Sequence, residues 1–173
     1  MEENRNSPTS AFLAAKTYAV AGASTDRSKY GNKVFQALVN SGRSVYPLNP
    51  TTSEIEGHQA FESISGLPVV PESLSIVTPP RVTREVVQQA IAAGVKNIWM
   101  QPGAEDEQAS QLARDAGINV IDDGSCVLVN LSLEMNQSNW ISEISGSFRG
   151  DPDFAEIVRL GKEMRDAEQP EED

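Results

Sequence analysis

Tyr18-Ala19-Val20-Ala21-Gly22-Ala23-Ser24, running on through Thr25-Asp26-Arg27-Ser28-Lys29-Tyr30 to Gly31, is the stretch on which the fold turns. Its apolar first residues read as a short buried strand, and Gly22 closes that strand with a conformation other residues rarely adopt. A polar loop follows. From Tyr30 or Gly31 the pattern changes period, with Val34, Leu38 and Val39 recurring at helical spacing until Gly42. A strand, a glycine-containing turn and a helix make one βα unit. Outward from it the unit repeats.

Ser44 to Leu48 is a second strand, expected to be irregular near its end because Pro47 has no N–H for a ladder bond. Thr51 to Pro71 is less regular, with a turn at Ile55-Glu56-Gly57 and a single helical turn from Phe61 to Ile64. Leu74 to Thr78 is a third strand. Pro79-Pro80 ends it, and Pro80 suits the first turn of a helix running to Gly94. Asn97 to Met100 is a fourth strand, Glu105 to Ala116 a helix, and Ile118 to Ile121 a fifth strand. Short strands alternating with helices predict a three-layer, doubly wound α/β domain with about five parallel strands, because parallel neighbours need crossovers on the faces of the sheet. The domain is expected over residues 16–131, after a lead helix within 1–15. Val127 to Leu133 is apolar enough to pack on the sheet, and residues 132–173 form a C-terminal extension with an amphipathic helical pattern from Asp153 to Arg165 and an acidic tail.

The chain of 173 residues is 39% hydrophobic with a net charge of −11. That charge argues against polyanions such as nucleic acid, and the segment from Asp151 to Asp173 carries nine of the acids and three bases. The single cysteine, Cys126, excludes an internal disulfide, and with the single histidine, His58, it excludes a Cys/His zinc cluster. No run approaches a membrane span, and Met1-Glu2-Glu3-Asn4 opens no signal peptide, so a cytoplasmic protein is expected.

In an open α/β sheet, ligands bind beyond the carboxyl ends of the strands. Gly22 to Gly31 is the first such turn, and the helix start there presents unpaired N–H groups suited to a phosphate. Arg27, Lys29 and Lys33 surround it, with Asp26 as the neighbouring acid; the same residues also read as a solvated face. The dinucleotide fingerprint G-x-G-x-x-G is broken, and the second strand ends in Asn49-Pro50 rather than in an acid for ribose. There is no P-loop either. Arg81 and Arg84 follow the third strand within reach of phosphates. Asp122-Asp123 reads first as a turn cap, with a carboxylate metal site or a base as the alternative, His58 reads as a solvated loop residue, and no Ser/His/Asp set can be built without another histidine. With a strand order of 3-2-1-4-5, Cys126 falls on the ligand side, to be weighed as a core thiol or as a partner for a ligand thiol.

Val20 to Ser24, V-Y-P-L-N-P at Val45 to Pro50, I-E-G at Ile55 to Gly57, T-P-P at Thr78 to Pro80, W-M-Q-P-G at Trp99 to Gly103, L-A-R-D-A-G at Leu112 to Gly117 and Asp123 to Cys126 together resemble the stand-alone CoA-binding domain family. Its fold is Rossmann-like, similar to the CoA-binding domain of the succinyl-CoA synthetase alpha subunit. The resemblance implies binding of coenzyme A or an acyl-CoA, without catalysis of its own. It implies Gly22, Ala23, Ser24 and Tyr30 beside the phosphates with Arg27 or Lys29. It places Asn49 and Pro50 near ribose and adenine, Thr78, Pro79 and Pro80 along the adenine or pyrophosphate, and Gln101, Pro102 and Gly103 toward the pantetheine. An NAD(P)-binding oxidoreductase and an interaction or scaffold protein on the same fold are the alternatives, and a homo-oligomer stays open.

Overall fold

The computed structural model describes residues 7–137, with side chains as far as Glu134. The chain divides into two compact units, Met1–Gly124 and Ser125–Asp173. The first holds α1 (Pro8–Leu13), β1 (Thr17–Ala21), α2 (Tyr30–Asn40), β2 (Ser44–Leu48), β3 (Glu54–Ile55), β4 (His58–Gln59), β5 (Ser73–Ile76), α3 (Pro80–Ala93), β6 (Asn97–Met100), α4 (Glu107–Asp115) and β7 (Asn119–Ile121). The second holds α5 (Val127–Gln137), whose Val127, Leu128, Val129 and Leu131 are buried, as is Cys126 before it. The expected helix from Asp153 and the acidic tail lie outside the described residues. Among the described residues, no helix is long and apolar enough to cross a membrane.

Five parallel strands make the main sheet, in the order β2-β1-β5-β6-β7. This is 2-1-3-4-5 in strand sequence, not the 3-2-1-4-5 order considered from the sequence. Pro47 gives the physical reason. A proline lacks the donor an internal strand needs, so β2 belongs at an edge, whereas 3-2-1-4-5 would bury it between two partners. At the edge β2 also stays regular through Leu48, in register with Ala21, instead of breaking up at Pro47. Beyond it, the segment read as a loose turn is a β3–β4 hairpin, and the expected helical turn is a 3-10 helix at Ile64–Gly66.

Strand alternation sorts the core. Ala19, Leu74, Ile76, Ile98 and Met100 join Val87 and Ala90 of α3 and Ala109 and Ala113 of α4 in one buried cluster. Tyr18, Val20 and Trp99 have the opposite parity and point to the other face. There Phe12 of α1 meets Tyr18 and Trp99 edge-on, with ring centroids 5.6 Å and 5.2 Å away. Complete burial of Phe12 contributes about 3 kcal/mol, enough to anchor a helix of six residues that has little stability alone. Both directions of winding start from β1 and β5. The β1–α2–β2 crossover runs one way and β5–α3–β6 the other, so right-handedness puts α2 and α3 on opposite faces.

Candidate functional site

The strand order reverses between β1 and β5, the point at which the loops of an open α/β sheet diverge and a ligand crevice is expected. Gly22 lies at its base with φ +88°, and a Cβ there would fall 2.5 Å from the Val77 carbonyl oxygen. A Cβ on Gly31 would fall on the Gly22 carbonyl oxygen itself. The two glycines therefore let the loop after β1 pass between the loop after β5 and the first turn of α2. They do so nine residues apart, a spacing the dinucleotide fingerprint does not describe.

The loop keeps its shape by short-range hydrogen bonds. Ser24 Oγ accepts from the Asp26 N–H at 3.1 Å, and Asp26 Oδ1 accepts from the Ser28 N–H at 2.9 Å and the Ser28 hydroxyl at 2.6 Å. The Ser28 bonds hold the Asp26 carboxyl below its usual range. Two amides pull the loop carbonyls inward: Asn49 Nδ2 donates to Ala23 O and Asn32 Nδ2 to Ser24 O, both at 2.8 Å. Lys29, exposed, is the N-cap residue of α2 and supplies no side-chain cap to it. The helix start thus keeps the positive dipole end an anion favours.

Arg27 is exposed to solvent but not unpaired. It donates from Nε to Glu56 Oε1 at 2.9 Å and from Nη2 to Glu56 Oε2 at 3.0 Å, and Asn32 Nδ2 also donates to Glu56 Oε1 at 3.0 Å. The Arg27 bond, then the Asn32 bond, hold the Glu56 carboxyl down to about 2. Glu56 has φ +49° and Gly57 φ +79°, the left-handed pair of a tight hairpin turn between β3 and β4. Sequence reasoning recognised the turn and missed the carboxylate, which lies 29 residues from its partner. The signal was a glutamate before glycine, where asparagine or glycine is the usual choice.

The remaining loops join this one. Asn49 Oδ1 accepts from the Thr51 N–H and hydroxyl, each at 2.8 Å, and with its bond to Ala23 O Asn49 shapes the loops while one N–H of its amide is not used in these bonds. Pro50, Pro79 and Pro80 are exposed at the rim. The Thr83 hydroxyl reaches the Ala104 carbonyl at 2.8 Å and the Pro79 carbonyl at 3.3 Å. It also shares a 2.9 Å hydrogen bond with the Thr78 hydroxyl, in which either can donate. Gln101 is fully buried; its Nε2 donates to Ser75 Oγ at 3.1 Å and its Oε1 accepts from the Tyr30 hydroxyl at 3.3 Å. It braces α2 against β5 and β6. Pro102 is half-buried and Gly103 exposed, its N–H bound to Glu105 Oε2 at 2.7 Å. The contacts unite the first loop with Asn49, Val77, Thr78 and Gln101.

Other polar candidates have structural partners. Arg84 Nε donates to Asp106 at 2.8 Å while Asp106 caps α4 through the Ala109 N–H, whereas Arg81 is exposed. Arg114 and Asp122 are paired at 2.7 Å. His58 is exposed, with its ring edge-on to Phe35. Among the described residues, no group of three or more His, Cys, Asp or Glu side chains is placed to hold a metal ion.

The family described as CoA binding domain matches residues 16–132. The chain is 25% identical over 131 residues to ADP-forming acetate–CoA ligase I of Archaeoglobus fulgidus, covering 70% of this chain and 19% of the ligase. It is 25% identical over 136 residues to the alpha subunit of ADP-forming acetate–CoA ligase II of Pyrococcus furiosus, covering 72% and 30%. The chain thus spans less than a third of these curated relatives. Among solved structures it is similar to a conserved hypothetical protein of P. furiosus, at 36% identity and TM-score 0.63, covering 66% of this chain and 98% of that one. Five parallel strands with flanking helices, a pinched glycine loop at the switch in strand order and a family match over more than half its length have one meaning: the chain belongs to the CoA binding domain family.

Proposed function

We propose that this chain binds coenzyme A or an acyl-CoA in the crevice between the loops after β1 and β5. The observation that carries the reading is the double glycine approach, Gly22 against Val77 and Gly31 against Gly22, which brings the N-terminus of α2 to the mouth of the crevice. A phosphate there meets the helix N–H groups, with Lys29 and Arg27 at its side. Gly22, Ala23, Ser24 and Tyr30 form the floor. Asn49 and Gln101 act from behind, holding Ala23 and Tyr30. Pro50, Pro79 and Pro80 line the rim for the adenine side, and Pro102 and Gly103 lie toward the pantetheine.

Thr78, just beyond β5, offers a hydroxyl on the adenine or pyrophosphate side, held by Thr83 at 2.9 Å. The end of β2 favours CoA over a nicotinamide dinucleotide, since it offers Asn49 where a ribose-binding acid is needed. The ligases to which the chain is similar carry CoA in their names, and the shared segment is the one proposed to hold it. Binding of this kind uses no catalytic group of the chain. Mass spectrometry of small molecules released from the denatured, freshly purified protein tests the reading. CoA or an acyl-CoA is expected, and a nicotinamide dinucleotide in its place would overturn it.

A further inference from the structure

We propose that Glu56 is a positioning residue for anion binding: its carboxylate fixes the Arg27 guanidinium so that the outer edge of Arg27 is presented to a phosphate of the ligand. This rests on the CoA reading above and adds a residue that lies on neither ligand-side strand end.

The geometry uses only part of the arginine. Arg27 engages both Glu56 oxygens through Nε and Nη2, a side-on pairing that takes two of five N–H donors. Three donors remain, two on Nη1 and one on Nη2, on the edge facing away from the carboxylate. A guanidinium can serve two oxyanions at once in this way, whereas an ammonium is a point charge without an oriented second edge. The Arg27 side chain is 78% exposed and the Glu56 side chain 16%. Without the carboxylate Arg27 would sample many rotamers, and a ligand would have to freeze them.

Glu56 is itself held. Asn32 of α2 donates to the same oxygen that takes Arg27 Nε, so the carboxylate is referred to the helix that forms the phosphate end of the crevice. The same amide donates to Ser24 O, and the loop, the helix and the hairpin thereby share one fixed point. A glutamate at φ +49° is a disfavoured choice for a hairpin turn that glycine or asparagine would form with less strain. Two effects of the carboxylate oppose each other. Its negative charge repels an anionic ligand, and its grip removes the ordering cost of Arg27. The repulsion is offset by the paired guanidinium and screened by solvent, so the ordering effect decides the sign.

The test is calorimetric titration of CoA into the wild type, Glu56→Gly, Arg27→Met and the double variant, with circular dichroism confirming that each is folded. Glycine suits the turn, so Glu56→Gly keeps the hairpin. In the wild-type background Glu56→Gly is expected to weaken CoA about three- to tenfold, roughly the effect of restoring one side chain's rotamer freedom. In the Arg27→Met background the same change is expected to leave affinity unaltered or to tighten it, since an unpaired carboxylate is then removed. Glu56→Gln, retaining one acceptor oxygen, is expected to fall between. Unchanged or tighter binding by Glu56→Gly alone, or equal weakening in both backgrounds, overturns the proposal while CoA binding stands. Absence of binding by the wild type overturns the CoA reading, and the proposal with it.

Discussion

At the amino ends of the central strands, Ser73, Asn97 and Asn119 stand side by side in register, and at the carboxyl ends Asn32 and Asn49 flank the first loop. The residue types are alike and their use is opposite. At the amino end, Asn119 donates to Asn97 and to Pro8 O, Asn97 to Ser73, and Ser73 to Phe12 O, which also accepts from the buried Tyr18 hydroxyl. Arg43 closes that row by donating to Tyr18 and to Leu13 O. Four of these bonds end on carbonyls of α1, at Pro8, Phe12 and Leu13, and the others tie their donors together, so that end is sealed by an element of the chain. At the carboxyl end the amides bind loop carbonyls instead. The loops are then held by side chains rather than by a packed α1, and that is the side on which the proposed ligand would lie. A polar residue at a strand end says little alone; whether its partner is an element or a loop decides between closure and site.

The largest way to break this contrast is Gly31→Ala. Its methyl would sit on a backbone carbonyl that cannot yield, so the carboxyl end should lose about 3 kcal/mol, and thermal unfolding should begin roughly 10 °C lower. CoA affinity should fall with it. Asn97→Ala addresses the sealed end: it removes the bonds that Asn119 and Ser73 share with Asn97 and should cost about 1–3 kcal/mol in chemical unfolding. CoA affinity of the folded protein should not change. Lys29→Gln reverses that pattern, with unfolding unaltered, CoA bound about three- to tenfold more weakly and a shallower salt dependence in titrations at two ionic strengths.

The smallest effect is acid sensitivity. Glu56 has a folded value of about 2 against an ordinary 4.5. A lowered carboxyl stabilises the fold above its unfolded value and loses that contribution as pH falls toward the folded one. The stability difference between wild type and Glu56→Gln should therefore be full above about pH 5 and close between pH 4.5 and 2. Asp26, Asp106 and Asp122 are also lowered, so both proteins unfold in acid and only their difference reports on Glu56.

Much of the fold is legible along the chain because its signals are local. Pro80 begins α3, Gly94 at φ +89° ends it, and Asn97 to Met100 is the fourth strand residue for residue. Strand order is not local, and the one residue that reports on it, Pro47, reads first as a flaw in a strand instead of as the mark of an edge. The site divides the same way. Gly22 and the start of α2 are visible from spacing, and the ordered series of motifs identifies the family. The charge of the first loop is not, because Glu56 comes from a hairpin on the far side of β2 to pair with Arg27. The family resemblance implies Asn49 and Gln101 as ligand-side residues, and in the fold each amide also donates within the protein, to Ala23 O and to Ser75 Oγ. Only three-dimensional hydrogen-bond accounting separates a residue that touches a ligand from one that holds what does.

Calorimetric titration of CoA into the wild-type protein at low and at physiological salt tests the central claim most directly. The account predicts saturable binding of one CoA per chain, weaker at the higher salt. Absence of binding at millimolar CoA would contradict it.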